Sequence, residues 1–199
     1  MSVILGYQIE NKVVMAADNR LSNADGKIVS DTEEKIIIVN NHLAISFSGN
    51  KAVQVMFENF FKEKASTDSF YVEDILFQLE TFYIAMKMNK EEFAQNIIKT
   101  SSCFIIAGKN KNYENVLYGV SFVDGKLSHS KTQMILFPPA DVSMKDCSEI
   151  FVQNYHVDLA HCMEKTVKEI SSLSNLVSET GNIWTYETDD VSNTLKQFS

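Results

Sequence analysis

The stretch Ser2-Val3-Ile4-Leu5-Gly6-Tyr7-Gln8-Ile9-Glu10-Asn11-Lys12-Val13-Val14-Met15-Ala16-Ala17-Asp18 decides the reading of this chain. Two apolar, β-prone runs, Val3–Ile9 and Lys12–Ala17, flank Glu10-Asn11-Lys12, where an Asn suits a tight turn, so the segment reads as a β-hairpin. A second hairpin follows, with Lys35–Val39 and Leu43–Ser48 joined by Asn40-Asn41-His42, again residues that tolerate positive φ. The polar segment Asn19–Glu34 between them reads as a loop with a short strand around Lys27–Ser30.

Beyond the second hairpin the apolar period changes from that of a strand to that of a helix. Val53, Met56, Phe57, Phe60 and Phe61 share one helical face, with Ser48 or Asn50 as N-cap. Val72, Ile75, Leu76, Leu79, Phe82, Tyr83 and Met86 mark a second amphipathic helix. The aromatic side chains Phe57, Phe60, Phe61, Phe77, Phe82 and Tyr83 of this pair serve either core packing or a further contact. Strands are expected at Ser102–Ala107, Val116–Val123, Leu127–Ser130 and Gln133–Phe137, with a turn at Asp124-Gly125. After Pro138-Pro139, helices are expected over Val142–Tyr155 and Val157–Leu176, and the chain closes with a strand near Asn182–Thr188. Strands in two blocks, each followed by paired helices, predict an α+β fold of two mostly antiparallel sheets packed together with helices outside. No linker, repeat or low-complexity tract divides the sequence, and residues 1–199 read as a single domain.

Composition narrows the function classes. Of the 199 residues 45% are apolar and 11% aromatic, far from a disordered chain, and 7 Gly and 2 Pro predict few, short loops. The formal charge of 18 − 26 = −8, without a basic cluster, argues against nucleic acid or an anionic membrane as partner. Cys103, Cys147 and Cys162 are odd in number and widely spaced, which suits neither a disulfide framework nor a zinc site. With no signal-like start and no run of about 20 apolar residues, the expected location is the cytoplasm.

Familiar catalytic signatures such as GxSxG, HExxH and the phosphate-binding loops are missing. His156, His161 and Cys162 are spaced poorly for a metal, and no metal or cofactor is expected. His129, in Ser128-His129-Ser130, reads either as an exposed strand residue or as a base for a serine. The hairpins are more specific. Folding the first places Ser2 near Asp18 and Arg20 at its open end, and the open end of the second carries Lys35 and Ser48-Gly49. If the two ends meet, Ser2, Asp18, Lys35 and the Gly49 N–H share one site.

A small second residue usually permits removal of the initiator Met, and Ser2 would then carry an α-amine with a pKa near ~7.7–8.0. Such an amine can take the Oγ proton without a histidine, so one residue supplies nucleophile and base. Lys35 as a cation would lower the amine pKa, Asp18 would fix the ammonium, and the Gly49 amide would face the oxyanion. The competing reading makes Asp18 and Lys35 solvated strand-end residues and Gly49 a turn.

These residues resemble the proteasome β-type subunits and related bacterial peptidase subunits, which are N-terminal nucleophile hydrolases. Val13-Val14-Met15-Ala16-Ala17-Asp18-Asn19-Arg20 resembles their second-strand motif, Glu34-Lys35-Ile36-Ile37 the stretch with the catalytic Lys, and Leu43 to Gly49 the strand ending at the oxyanion glycine. Gly6 also follows Ser2 as a glycine commonly does in the family. The resemblance implies a four-layer αββα sandwich, two antiparallel sheets flanked by helix pairs, with Ser2, Asp18, Lys35 and Gly49 as catalytic residues. Arg20, Ser22, Ser48, Thr180 and Gly181 would support them. It further implies a peptide substrate, a homo-oligomer that can form rings, and an ATPase or other regulatory cap.

The chain departs from the family pattern at three places. Ser replaces the usual Thr nucleophile at position 2. Leu136-Phe137-Pro138-Pro139-Ala140 stands where a Gly-Ser-Gly-Ser segment is usual, and Val177-Ser178-Glu179-Thr180-Gly181 carries Val in place of a late Asp. Three readings follow: a peptidase acting through Ser2, an inactive assembly protein of the same fold, or a hydrolase of small acyl amides.

Overall fold

The computed structural model describes residues 2–23, 25–62, 69–188 and 192–199. Met1, whose removal the Ser2 chemistry requires, lies outside the described residues. The first hairpin pairs β1 (Ile4–Ile9) with β2 (Lys12–Asp18) around Glu10-Asn11, in the register Ile4 opposite Ala17. The second pairs β5 (Ile36–Asn40) with β6 (Leu43–Gly49). Between them β3 (Leu21–Ser22) and β4 (Ile28–Ser30) form a small ribbon of their own.

Three helices follow, α1 (Lys51–Lys62), α2 (Val72–Met88) and α3 (Glu92–Ile98). Asn50 caps α1, its Oδ1 accepting from Ala52 N–H at 2.9 Å, while Ser48 turns elsewhere. The next strands are β7 (Ser102–Lys109), β8 (Asn115–Val123), β9 (Lys126–Lys131) and β10 (Met134–Phe137). Helices α4 (Met144–Asn154) and α5 (Leu159–Leu173) are capped by Ser143 and Asp158, and strands β11 (Gly181–Glu187) and β12 (Ser192–Phe198) end the chain.

The large sheets are both five-stranded and antiparallel, ordered β10-β1-β2-β11-β12 and β5-β6-β7-β8-β9. Strand β2 explains how they are arranged. It is buried on both faces: Val14 and Ala16 pack with α4 and α5, while Val13, Met15 and Ala17 face Ile105, Leu117, Trp184 and Tyr186 between the sheets. A third core joins β6, β7 and β8 to α1, α2 and α3 through Phe57, Leu79, Phe82 and Phe104. Alternate residues of a central strand thus feed different cores, which is why its sequence runs apolar without a break.

Several expectations change. The strand at 181–187 does not close the chain, because β12 follows and pairs with it from Gly181–Phe198 to Glu187–Ser192. Among the described residues the first helical block has three helices, α3 adding Ala94 and Ile97 to the core. Helices expected over 142–155 and 157–176 are shorter, starting where Ser143 and Asp158 cap them. Phe57, Phe61, Phe82 and Tyr83 are buried, but Phe77 is 63% exposed. No helix among the described residues is long and apolar enough to cross a membrane.

Candidate active site

The open ends of the two hairpins meet. Asp18 ends β2 and is fully buried, and its carboxylate is met from four directions. Oδ1 accepts from Val3 N–H at 3.0 Å and from the Lys35 ammonium at 3.0 Å, and Oδ2 accepts from Arg20 N–H at 2.9 Å and Ser178 N–H at 3.3 Å. A carboxylate so enclosed is tolerable only because every donor is in place. Lys35, also buried, directs a second N–H to the Arg20 carbonyl at 2.7 Å. Burial pushes its ammonium below the ordinary lysine value, against the opposing pull of Asp18.

Ser2 sits one residue before this network and is itself buried. Its carbonyl accepts from Ser48 Oγ at 3.0 Å, which ties the start of the first hairpin to the end of the second. Gly49 has φ +139, and a Cβ there would come within 2.8 Å of the Ser101 carbonyl, so only glycine fits the approach of β6 to β7. Ser2, Lys35, Ser48 and Gly49 line one cavity of about 20 Å³ with Leu21 and Phe47. Its far wall is Glu33, Lys51 and Gln54, the first two joined as an ion pair. The same three side chains also line a groove of about 780 Å³ floored by Ile36, Ile45 and Phe57, so they partition a small cavity from a large one.

The supporting positions fare unequally. The Arg20 guanidinium forks onto Asp31 at 2.7 and 3.1 Å and donates to the carbonyls of Asn175 and Val177 at 3.1 and 3.0 Å. It therefore holds the loop before β11 against the site. Thr180 stands behind the network, its carbonyl accepting from Asn19 N–H at 3.1 Å. Gly181 packs so tightly on β2 and Phe198 that a Cβ would fall 2.3 Å from the Ala17 carbonyl. Ser22 lies on β3, and its buried hydroxyl has no hydrogen-bond partner among the described residues.

Two contributors escape a reading by spacing. Ser178 donates its N–H to Asp18 and accepts from Asn19 N–H at 3.1 Å through its hydroxyl. Val177, at the position of the missing Asp, works through its carbonyl while its side chain joins the core. The only sequence signal for Ser178 is its place in the segment 177–181 already quoted. The Leu136–Ala140 segment puts Leu136 and Phe137 into packing, with β10 paired to β1. His129 lies 3.6 Å from Glu80 on the helix side of the other sheet and takes no part in the Ser2 cluster. His156 accepts from Asp158 N–H, and among the described residues no cluster of three or more His, Cys, Asp or Glu could hold a metal.

The family model described as Proteasome subunit matches residues 2–129, which run from Ser2 through most of β9 and take in Asp18, Lys35 and Gly49. No curated protein matches the chain. With well over half of its length matched and two antiparallel sheets carrying the matched hairpins, the chain belongs to the proteasome subunit family of N-terminal nucleophile hydrolases.

Proposed function

We propose that the chain is a proteasome-like peptidase subunit that hydrolyses peptide bonds through Ser2 after loss of Met1. The observation that carries this reading is the buried Asp18–Lys35 pair, 3.0 Å apart, whose lysine lines the cavity shared by Ser2 and Gly49. A lysine kept in so small a space beside a serine gains nothing for packing that an apolar residue would not supply better. Its charge is useful where an alkoxide develops.

In this mechanism the neutral α-amine of Ser2 takes the Oγ proton as Oγ bonds to the substrate carbonyl carbon. Lys35 stabilises the negative charge at Oγ, and the Gly49 N–H receives the oxyanion. The tetrahedral intermediate collapses with cleavage of the C–N bond, and the leaving amine takes the proton from the α-ammonium. Water, activated by the same amine, then hydrolyses the seryl ester and restores Ser2. Asp18 keeps Lys35 in position, and Arg20, Ser48, Thr180 and Gly181 hold the surrounding backbone. The wider reading is a single-domain αββα sandwich of four layers, acting in the cytoplasm as a homo-oligomer that closes into a ring, with a cap or ATPase to deliver unfolded substrate.

Intact mass and N-terminal sequencing of protein from its native source test the first requirement, and loss of Met1 is expected. Fluorogenic peptides should then be cleaved, and Ser2→Ala should abolish cleavage while leaving the circular dichroism spectrum unchanged. Met1 retained in the cell, or cleavage that survives in the alanine variant, would overturn the mechanism. Turnover of small acyl amides in place of peptides would move the same chemistry to another substrate.

A further inference from the structure

Asn19 follows Asp18 at the end of β2, and three segments of the candidate site cross there. Its N–H is shared between the Ser178 hydroxyl and the Thr180 carbonyl, each at 3.1 Å and both in the segment that leads into β11. Its own carbonyl accepts from Glu33 N–H at 2.9 Å, two residues before Lys35. Lys35 stands just ahead of β5, where its carbonyl accepts from Phe47 N–H at 3.0 Å, so Glu33 supplies a second hold on the same stretch. The two acceptors of the Lys35 ammonium, the Asp18 carboxylate at 3.0 Å and the Arg20 carbonyl at 2.7 Å, belong to the residues on either side of Asn19. A shift of Asn19 therefore moves both acceptors at once, and with them the backbone that leads to the donor.

The side chain of Asn19 has an anchor of its own. Its Oδ1 accepts from Asn182 Nδ2 at 2.9 Å, a bond between two buried residues 163 apart in the sequence. Asn182 lies on β11 directly opposite Ala17 of β2. Residues so paired share one face of a sheet, and Ala17 packs in the core between the sheets together with Ile36. An amide at such a position costs free energy unless it is bonded, and an apolar side chain would fill the place at less cost. The bond to Asn19 is what this amide supplies. Asn182 is not among the residues that line the cavity of Ser2, so its route to the site runs through Asn19.

We propose that Asn182 is a positioning residue for Lys35, holding through its bond to Asn19 both acceptors of the ammonium and the approach to β5, so that the charge stays in the cavity shared with Ser2. The role rests on the peptidase reading above. A charge displaced by an ångström at the nucleophile is felt in the transition state and not in the binding of substrate, which fixes what the loss of Asn182 should change.

Peptide cleavage by the full chain tests this with Asn182→Ala, Asn19→Ala and the double variant N19A/N182A, each assayed well below its unfolding temperature. Each single substitution should lower kcat about tenfold or more and leave KM within about twofold of wild type. Because Asn182 acts through Asn19, the double variant should lose no more than Asn19→Ala alone, and losses that multiply overturn the proposal. Asn182→Leu, which refills the volume without the N–H donor, should lose as much as Asn182→Ala; recovery in the leucine variant would make the effect one of packing and overturn it too. Amide hydrogen exchange followed by mass spectrometry reads the link whether or not the chain cleaves peptides. In Asn182→Ala the stretch 31–36 should exchange about tenfold faster while helix α2 exchanges as in wild type. Unchanged exchange at 31–36, faster exchange throughout with α2 included, or faster exchange at 31–36 with kcat unchanged each overturns the proposal. A wild type that cleaves no peptide overturns the peptidase reading instead, and exchange at 31–36 then decides alone whether Asn182 holds the Lys35 segment.

Discussion

Replacing Asp18 by Asn keeps the size and shape of the side chain but removes the carboxylate that is ion-paired with Lys35. Asp18 is wholly buried and Lys35 is 4% exposed, so solvent cannot take over the missing charge. Three of the four donors on Asp18 are backbone N–H groups that cannot move, so an Asn amide must turn its N–H₂ toward either Val3 and Lys35 or Arg20 and Ser178. Breaking a buried pair in this way costs about 3–5 kcal/mol. For a chain of 199 residues that is a fall in melting temperature of roughly 6–20 °C. Lys35→Met should cost less, because Asp18 retains its three N–H donors. The double variant D18N/K35M should return to within about 2 kcal/mol of wild type, since neither charge remains.

Urea unfolding followed by the fluorescence of Trp184, the chain's single Trp and fully buried between the sheets, reads all three. The pH dependence gives a second check. Lys35 has a lower pKa folded than unfolded, so between those values the unfolded chain holds more protons and stability rises with pH until about 10.4. In D18N the pKa falls further and the rising limb starts at lower pH. A D18N loss below about 1 kcal/mol, or a double variant no more stable than D18N, refutes the view that one ion pair holds the site.

Gly49→Ala should destabilise the chain by roughly 2–4 kcal/mol and remove any peptidase activity, because φ +139 and the Ser101 carbonyl 2.8 Å from the new Cβ both oppose it. Urea unfolding and a peptide cleavage assay check the two parts. Lys51→Ala removes one side of the wall between the small cavity and the large groove and leaves Glu33 without its partner. Relative kcat/KM, measured on peptides differing only in the residue before the cleaved bond, should shift at least tenfold toward larger and basic side chains. An unchanged preference would mean that this wall does not meet substrate.

The hairpins were legible because their physics is local. Short apolar, β-prone runs and Asn-centred turns declare β1–β2 and β5–β6, and register alone then carries Ser2 toward Asp18 and Lys35 toward Gly49. Strand β12 was not legible, since Ser192–Phe198 is an edge strand with exposed residues along most of its length and no apolar alternation. Helix α3 offered a single turn of buried residues, too short for a period to emerge. Ser178 and the carbonyl of Val177 act largely through main-chain atoms, which leave no trace in residue type. The outward turn of Phe77 was not legible: it stands among the aromatics of the first helices, and only the fold separates it from those that face inward.

The strand order β1-β2-β11 has a consequence for how the protein is made. During synthesis β2 emerges with one edge bare, because its neighbour on that side begins 160 or more residues later, at Gly181. Ser178, which closes the last side of Asp18, arrives just before it. The charge network beside Ser2 is thus completed only after residues 178–187 have left the ribosome. A nascent chain carries Ser2 near its start but no finished network around it, so the surroundings of Ser2 form only once these distant segments have been made and can pack together.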